Sequence, residues 1–170
     1  AASDVYKRQA LKSLQSNYCK DITLVFGCGG DRDFKKRPIM AKIASINCKK
    51  IYVTDDNPRN EDPKKIRNEI IKNIKFTNYF NIGNRTEAIK TAVMNAEPGE
   101  IILVAGKGHE KEQIYKNKII SISDSQIIKK LKIKTKKLSN INFTFLQNKK
   151  ILESILTNTK VGNFHGLAID

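Results

Sequence analysis

A chain of 170 residues with 39% hydrophobic side chains is enough for one ordinary domain and excludes a collagenous, coiled-coil or wholly disordered protein. Its 32 Lys and Arg against 17 Asp and Glu give a formal charge of +15, which would suit a polyanion, but most of the basic residues are lysines scattered among Ile and Asn, as on a solvated surface. No apolar run approaches the about 18 residues of a membrane span, no signal peptide opens the chain, and Cys19, Cys28 and Cys48 fit neither a disulfide framework nor a zinc site, so a soluble, cytoplasmic protein is expected.

In chain order, Ala1 to Gln9 has no capping or core pattern and reads as a non-native leader. Strand-like apolar runs then alternate with helical stretches. The strands are expected at Ile22 to Phe26, Ile51 to Thr54, Phe76 to Ile82 and Ile101 to Ala105. Between them, Pro38 fits a first helical turn before Ile39, Ala41, Ile43, Ala44 and Ile46, and Pro63 does the same before Ile66, Ile70, Ile71 and Ile74. A third helix spans about Arg85 to Ala96 and stops before Pro98-Gly99. Gln113 to Tyr115 and Lys118 to Ile122 read as an antiparallel hairpin, after which Asp124 is placed to cap a helix over Ser125 to Lys132. The alternation predicts an α/β fold, Rossmann-like, with a mostly parallel sheet flanked by helices and a C-terminal β-hairpin. Residues 133–141 read as a Lys-rich linker. Phe143 to Leu156 is expected as an amphipathic helix and Lys160 to Asp170 as a strand that stops in mid-pattern, so the sequence reads as a fragment.

In open parallel sheets, ligands bind beyond the carboxyl ends of the strands, and three of the four strand ends run into unusual polar loops. After the first comes Gly27-Cys28-Gly29-Gly30-Asp31-Arg32-Asp33, then Lys35, Lys36 and Arg37 before a helix start. The glycines allow close backbone approach, and the helix start favours an anion. The spacing is neither the dinucleotide nor the phosphate-loop pattern, and a Gly-rich turn with solvated charges is the plain alternative. After the second strand comes Thr54-Asp55-Asp56-Asn57-Pro58-Arg59, where Asn57 and Arg59 offer an amide and a guanidinium fork to a carboxylate; an ordinary Asp-Asn-Pro turn is the alternative. After the fourth comes Gly106-Lys107-Gly108-His109-Glu110. Convergence of Arg32, Asn57, Arg59 and Glu110 at one sheet edge would make a pocket for a zwitterion, its carboxylate facing the arginines and its ammonium facing Glu110.

These three motifs, with Lys36-Arg37-Pro38 and Gln113, closely resemble the C-terminal domain of the Mur ligases, most nearly the MurE type that adds meso-2,6-diaminopimelate to UDP-MurNAc-L-Ala-D-Glu. The resemblance covers about Ala10 to Lys132 and implies an ATP- and Mg2+-dependent, amide-forming ligase of peptidoglycan synthesis. In it, this domain receives the amino acid while other domains carry most of the nucleotide and metal site. Position by position it implies diaminopimelate contacts from Arg32, Asn57, Pro58, Arg59, Gly106 and Glu110, with Asp31, Asp56, Lys107 and His109 supporting them. Arg and Asn on one side and Glu on the other would favour diaminopimelate over lysine, which lacks the distal carboxylate. Phe34-Lys35 and Lys111-Glu112 depart from the family pattern, and no phosphate-binding loop or metal-ligand set of the central domain is present, so this chain alone is expected to be inactive. Residues 142–170 more weakly resemble the opening of the next ligase, which adds D-alanyl-D-alanine, and imply a fusion of the two. From a different class, a basic Rossmann-like nucleic-acid-binding module is the alternative; aromatics at 7% and the absence of any base-stacking or groove-reading motif weigh against it.

Overall fold

Four short apolar strands make the centre of the molecule: β1 (Ile22–Phe26), β2 (Lys50–Val53), β3 (Tyr79–Asn81) and β4 (Ile101–Ala105). The computed structural model describes residues 21–75, 78–97, 100–108, 110–134, 141–146 and 164–169, with 132–134 and the last two segments described by backbone alone. β1 lies between β2 and β4, with Leu24 opposite Ile51 on one side and Leu103 on the other, and all these pairings are parallel. Side chains alternate across a strand, so each strand feeds both faces. Leu24, Phe26, Ile51, Val53, Ile101 and Leu103 pack against Met40, Ala41 and Ala44 of α1 (Lys36–Asn47) and Ile66 and Ile70 of α2 (Pro63–Ile71). Val25, Tyr52, Ile102 and Val104 pack on the opposite face against Ala88, Ile89, Ala92 and Val93 of α3 (Arg85–Met94) and Ile128 of α4 (Asp124–Lys134). Because both faces are covered, β1 and β4 are buried at every position, which is why they read as unbroken apolar runs. The expected α/β architecture is thus the observed one.

Local chemistry sets the helix boundaries. Asp62 caps α2 by accepting from Lys64 N at 2.9 Å, with Pro63 in the first turn, and Asn84 caps α3 by accepting from Glu87 N at 3.1 Å. α2 stops at Ile71, short of the expected Ile74, in a tightened turn in which Ile74 N donates to Ile71 O at 3.0 Å, yet Ile74 still packs on the core. α3 likewise stops at Met94 instead of Ala96. Asp124 is not the cap expected of it. Ser123 accepts from Ile127 N through its carbonyl and from Gln126 N through Oγ, while the Asp124 carboxylate turns inward to Arg85. The hairpin is present as β5 (Glu112–Tyr115) and β6 (Lys118–Ser121), paired antiparallel as a separate two-stranded sheet.

The sheet continues past β4 with two further parallel strands, β7 (Ile141–Leu146) and β8 (Phe164–Ile169), in the order β3-β2-β1-β4-β8-β7. β8 agrees with the strand expected between Lys160 and Asp170. β7 corrects the helix expected from Phe143. Its residues, INFTFL, are mostly aromatic and β-branched types that suit a pleated strand. The leader, residues 135–140 of the expected linker and residues 147–156 of that helix lie outside the described residues, as does Cys19. Cys48 packs against the core, and burial pushes its thiol up to about 12.

The chain leaves the carboxyl end of β1 through α1 on one face of the sheet, and that of β4 through the hairpin and α4, which packs on the opposite face. Such a reversal leaves a crevice at the carboxyl ends of the two strands, between diverging loops. The three polar loops meet there.

Candidate functional site

The loop after β1 lies directly on the loop after β2, backbone against backbone. Gly30 N donates to Asn57 O at 2.8 Å, and a Cβ on Gly30 would overlap the Pro58 carbonyl oxygen. Glycine is required there by contact alone. Asp31 and Arg59 both adopt left-handed backbone, with φ of 51° and 53°, a conformation that ordinary residues keep only when their surroundings hold them. Asp31 is held by Asn60, whose side-chain amide donates to its carboxylate at 2.7 Å, and by Glu61, which accepts from its N–H at 2.7 Å. Arg59 is held by the hairpin, its N–H donating to Ile114 O at 2.9 Å, and through NH1 it donates to Gly30 O at 2.8 Å. Pro58 is buried in the same turn.

Arg32, Asn57, Arg59, Gly106 and Glu110 all line one cleft of about 430 Å³, although they come from three loops. Asp56 lines it as well; Pro58 does not. Arg32 is exposed, and its guanidinium has no hydrogen bond or ion pair among the described residues. Gly106 has φ of 123°, and a Cβ there would come within 3.0 Å of the Asp56 carboxylate, so the backbone approach of β4's loop also depends on glycine. His109 lies outside the described residues.

Asn57 behaves differently from the expectation. Instead of facing away from Glu110, it is bonded to it: Nδ2 donates to Glu110 Oε2 at 2.8 Å. Its Oδ1 accepts from Lys107 Nζ at 2.9 Å and from Ile114 N at 3.0 Å. Lys107, buried with 2% of its surface exposed, also donates to Glu110 Oε2 at 3.0 Å and stands 3.8 Å from Asp56 Oδ1. Partial burial pushes the Glu110 carboxyl up, but the bonds from Lys107 and Asn57, with the charges of Lys107 and Arg59, outweigh it and hold the group below the usual carboxylate range. The cluster therefore presents an ionised carboxylate whose Oε2 is doubly engaged.

Several residues of the framework carry weaker marks in the sequence. Arg37, 2% exposed, bridges Glu61 at 2.8 Å, Glu69 at 2.7 Å and Gly29 O at 3.3 Å, tying the first loop to the second and to α2. In the sequence it stands in a Lys-Lys-Arg run that reads as solvated. Arg85 is fully buried. It forks onto Asp124, Nε to Oδ1 at 2.8 Å and NH2 to Oδ2 at 2.7 Å, and donates to Ala105 O at 3.1 Å. A cation in the first turn of a helix opposes the helix dipole, and that oddity was a readable sign of a partner elsewhere. Around Asp55, Arg67 and Tyr115 Oη donate to the carboxylate and Gln113 Nε2 donates to the carbonyl, fixing the end of β2 beneath the cleft. A second depression of similar volume lies beyond Arg59, against the hairpin turn.

A guanidinium with no partner among the described residues and a fixed carboxylate, in one cleft at a sheet switch point, can receive a molecule that carries both charges. Comparisons with known proteins agree in kind. The family model for the Mur ligase glutamate ligase domain matches residues 6–108. A UDP-N-acetylmuramoyl-L-alanyl-D-glutamate--2,6-diaminopimelate ligase of Rickettsia conorii is 46% identical over 124 residues, 72% of this chain and 26% of that protein. The ligase of the same name from Buchnera aphidicola subsp. Baizongia pistaciae is 54% identical over 113 residues, 66% of this chain and 22% of that protein. A solved structure of a ligase of that name superposes with a TM-score of 0.67 at 37% identity, over 72% of this chain and 26% of the other. The chain spans about a quarter of the length of the curated relatives it matches.

Proposed function

Since the chain belongs to the Mur ligase family, through that family's C-terminal domain, we propose that it seats meso-2,6-diaminopimelate for an ATP-dependent ligase. That ligase joins the amino acid to UDP-N-acetylmuramoyl-L-alanyl-D-glutamate in peptidoglycan synthesis. The observation that carries the reading is the presence, in one cleft, of Arg32, which has no partner among the described residues, and a Glu110 carboxylate held ionised.

Arg32 is open to form a bidentate pair with a carboxylate. Arg59 adds its guanidinium nitrogens other than NH1, which is engaged with backbone carbonyls. Glu110 Oε1, which has no hydrogen bond among the described residues, can receive an ammonium. A diaminopimelate end carries both groups, whereas lysine offers the ammonium alone and would leave the arginines without their partner, a discrimination by unpaired polar groups. Among the described residues no group of three or more His, Cys, Asp or Glu could hold a metal ion, and the glycine loop leads into Asp31 and Asp33 where a phosphate loop would offer Lys and Ser or Thr. These residues do not fit Mg2+ or a nucleotide triphosphate. ATP and Mg2+ are therefore assigned to parts of the ligase other than these loops, and the role of this domain is to bind and orient. No helix among the described residues is long and apolar enough to cross a membrane; the proposed use of ATP and a UDP-linked substrate supports a cytoplasmic reaction.

The test is a nuclear magnetic resonance titration of the 15N-labelled chain. meso-Diaminopimelate should shift the amides of Gly29, Gly30, Asn57, Arg59 and Gly106, and L-lysine should need at least about 10-fold higher concentration for the same shifts, the equivalent of one lost charge-assisted contact. Equal midpoints, or shifts confined to the depression beside the hairpin turn, would contradict the reading.

A further inference from the structure

Lys107 does not line the cleft, although Asn57, Glu110 and Asp56, the side chains it approaches, all do, so it is not placed to touch a ligand. Burying a lysine is costly unless its charge is paired and its hydrogens are bonded, and here each visible contact goes to a residue of the site. Nζ lies 2.9 Å from Asn57 Oδ1, 3.0 Å from Glu110 Oε2 and 3.8 Å from Asp56 Oδ1.

We infer that Lys107 is a positioning residue that sets which atoms the cleft offers: it fixes the orientation of the Asn57 amide and holds Glu110 by one oxygen, leaving Oε1 to the ligand. The inference rests on the reading of the cleft as the diaminopimelate site. Its geometry stands independently.

The amide of Asn57 has two orientations that exchange its oxygen and nitrogen. Two donors, Lys107 Nζ and Ile114 N, converge on Oδ1, and an acceptor, Glu110 Oε2, faces Nδ2. With the amide reversed, nitrogen would face two donors and oxygen would face a carboxylate, so three contacts fail together. Lys107 is the charged donor of that lock, and Glu110 is its charged acceptor. The same ammonium binds Glu110 through Oε2, the oxygen that Asn57 also uses, so both interior donors fall on one side of the carboxylate. A ligand ammonium meets Oε1, and the negative charge it meets is set by its surroundings. Those are Lys107 and Arg59, with Arg85 from the start of α3 and Asp56 from the loop after β2.

The consequence is a split between what Lys107 does and what the ligand-facing residues do. Replacing Lys107 by Met keeps the stem and removes the charge. Asn57 then keeps one of its two oxygen donors, and Glu110 keeps its burial while losing the largest influence that opposes it, so its carboxyl titrates at higher pH than in the native chain.

The experiment compares the native chain with Lys107→Met, Lys107→Arg and Glu110→Gln, with backbone amide spectra and thermal melting as controls for folding. Three readouts are taken: the exchange of the Asn57 side-chain NH2 protons, the 13C titration midpoint of the Glu110 carboxyl, and the midpoint for meso-diaminopimelate. In Lys107→Met the Asn57 protons should exchange at least about 10-fold faster, the Glu110 midpoint should rise, and diaminopimelate should bind about 10-fold more weakly. Lys107→Arg, which keeps the charge, should restore the Glu110 midpoint in greater part. Native-like Asn57 exchange and Glu110 titration in a folded Lys107→Met would overturn the inference, whatever happens to the ligand. Should Lys107→Met unfold the chain, Lys107→Arg decides: a Glu110 midpoint no nearer the native value than the ordinary carboxylate range would overturn it. If Glu110→Gln leaves diaminopimelate binding unchanged while Lys107→Met still releases Asn57, the substrate reading fails and the positioning role stands.

Discussion

At the amino edge of the sheet, Lys49 pairs with Asp21 at 2.7 Å and Glu97 at 3.4 Å, and Lys50 pairs with Glu97 and Glu100 at 3.3 Å. At the carboxyl edge, Arg37, Arg67, Arg85 and Lys107 are similarly paired, but Arg32 has no partner among the described residues and Glu110 has one oxygen open. Charge is abundant at both ends. What differs is that the amino edge closes on itself over short connections, whereas the carboxyl edge holds its loops apart with buried pairs and leaves charge exposed in the space between. A ligand site here is a place where the framework is satisfied and the lining is not.

The largest way to break that contrast is to remove a brace. Arg85→Ala leaves Asp124, 1% exposed, as an uncompensated buried charge, and should cost about 3 to 5 kcal/mol in urea unfolding. Adding Asp124→Asn to it should recover part of that loss, because the two side chains act as one unit. A cost below about 1 kcal/mol would show that the pair is not a brace.

A smaller effect sharpens the comparison through pH. Glu61 is held below its ordinary value of 4.5, first by the bond from Arg37, despite the upward push of burial. A depressed acid contributes stability that is fully present above its unfolded pKa and is lost as the pH falls through its folded one. The stability difference between native chain and Glu61→Gln should therefore be constant above about pH 5.5 and shrink steadily below about pH 4.5. A difference that does not change on acidification would exclude the Arg37 contact as its source. At the amino edge Lys49→Ala should leave ligand affinity unaltered, since that edge has no part in the cleft. Tyr52→Phe, whose hydroxyl is buried without a partner among the described residues and whose ring stacks on Phe80 at 4.6 Å, should stabilise by up to about 1 kcal/mol.

The strands and the motif-bearing loops were legible because each rests on local pattern: apolar runs such as Ile101 to Ala105, Pro63 at a helix start, and glycines where backbones touch. Asp124 misled because a capping residue and a buried ion-pair partner look alike in sequence; Arg85, 39 positions away, decides between them. The segment from Phe143 is ambiguous in sequence because a short apolar run with aromatic residues fits either period. Within the site, the lining was legible and its internal bonding was not. The direction of Asn57 depends on Lys107, 50 positions away, and no local pattern records that contact.

The central claim is that the cleft reads a carboxylate and an ammonium on one molecule, and a two-by-two affinity cycle tests it directly. Midpoints for meso-diaminopimelate and L-lysine are measured on the native chain and on Arg32→Ala. The native chain should favour diaminopimelate by at least about 10-fold, and Arg32→Ala should bring that ratio close to one while weakening lysine by less than about 2-fold. A preference that survives Arg32→Ala unchanged, or a native chain with none, would contradict it.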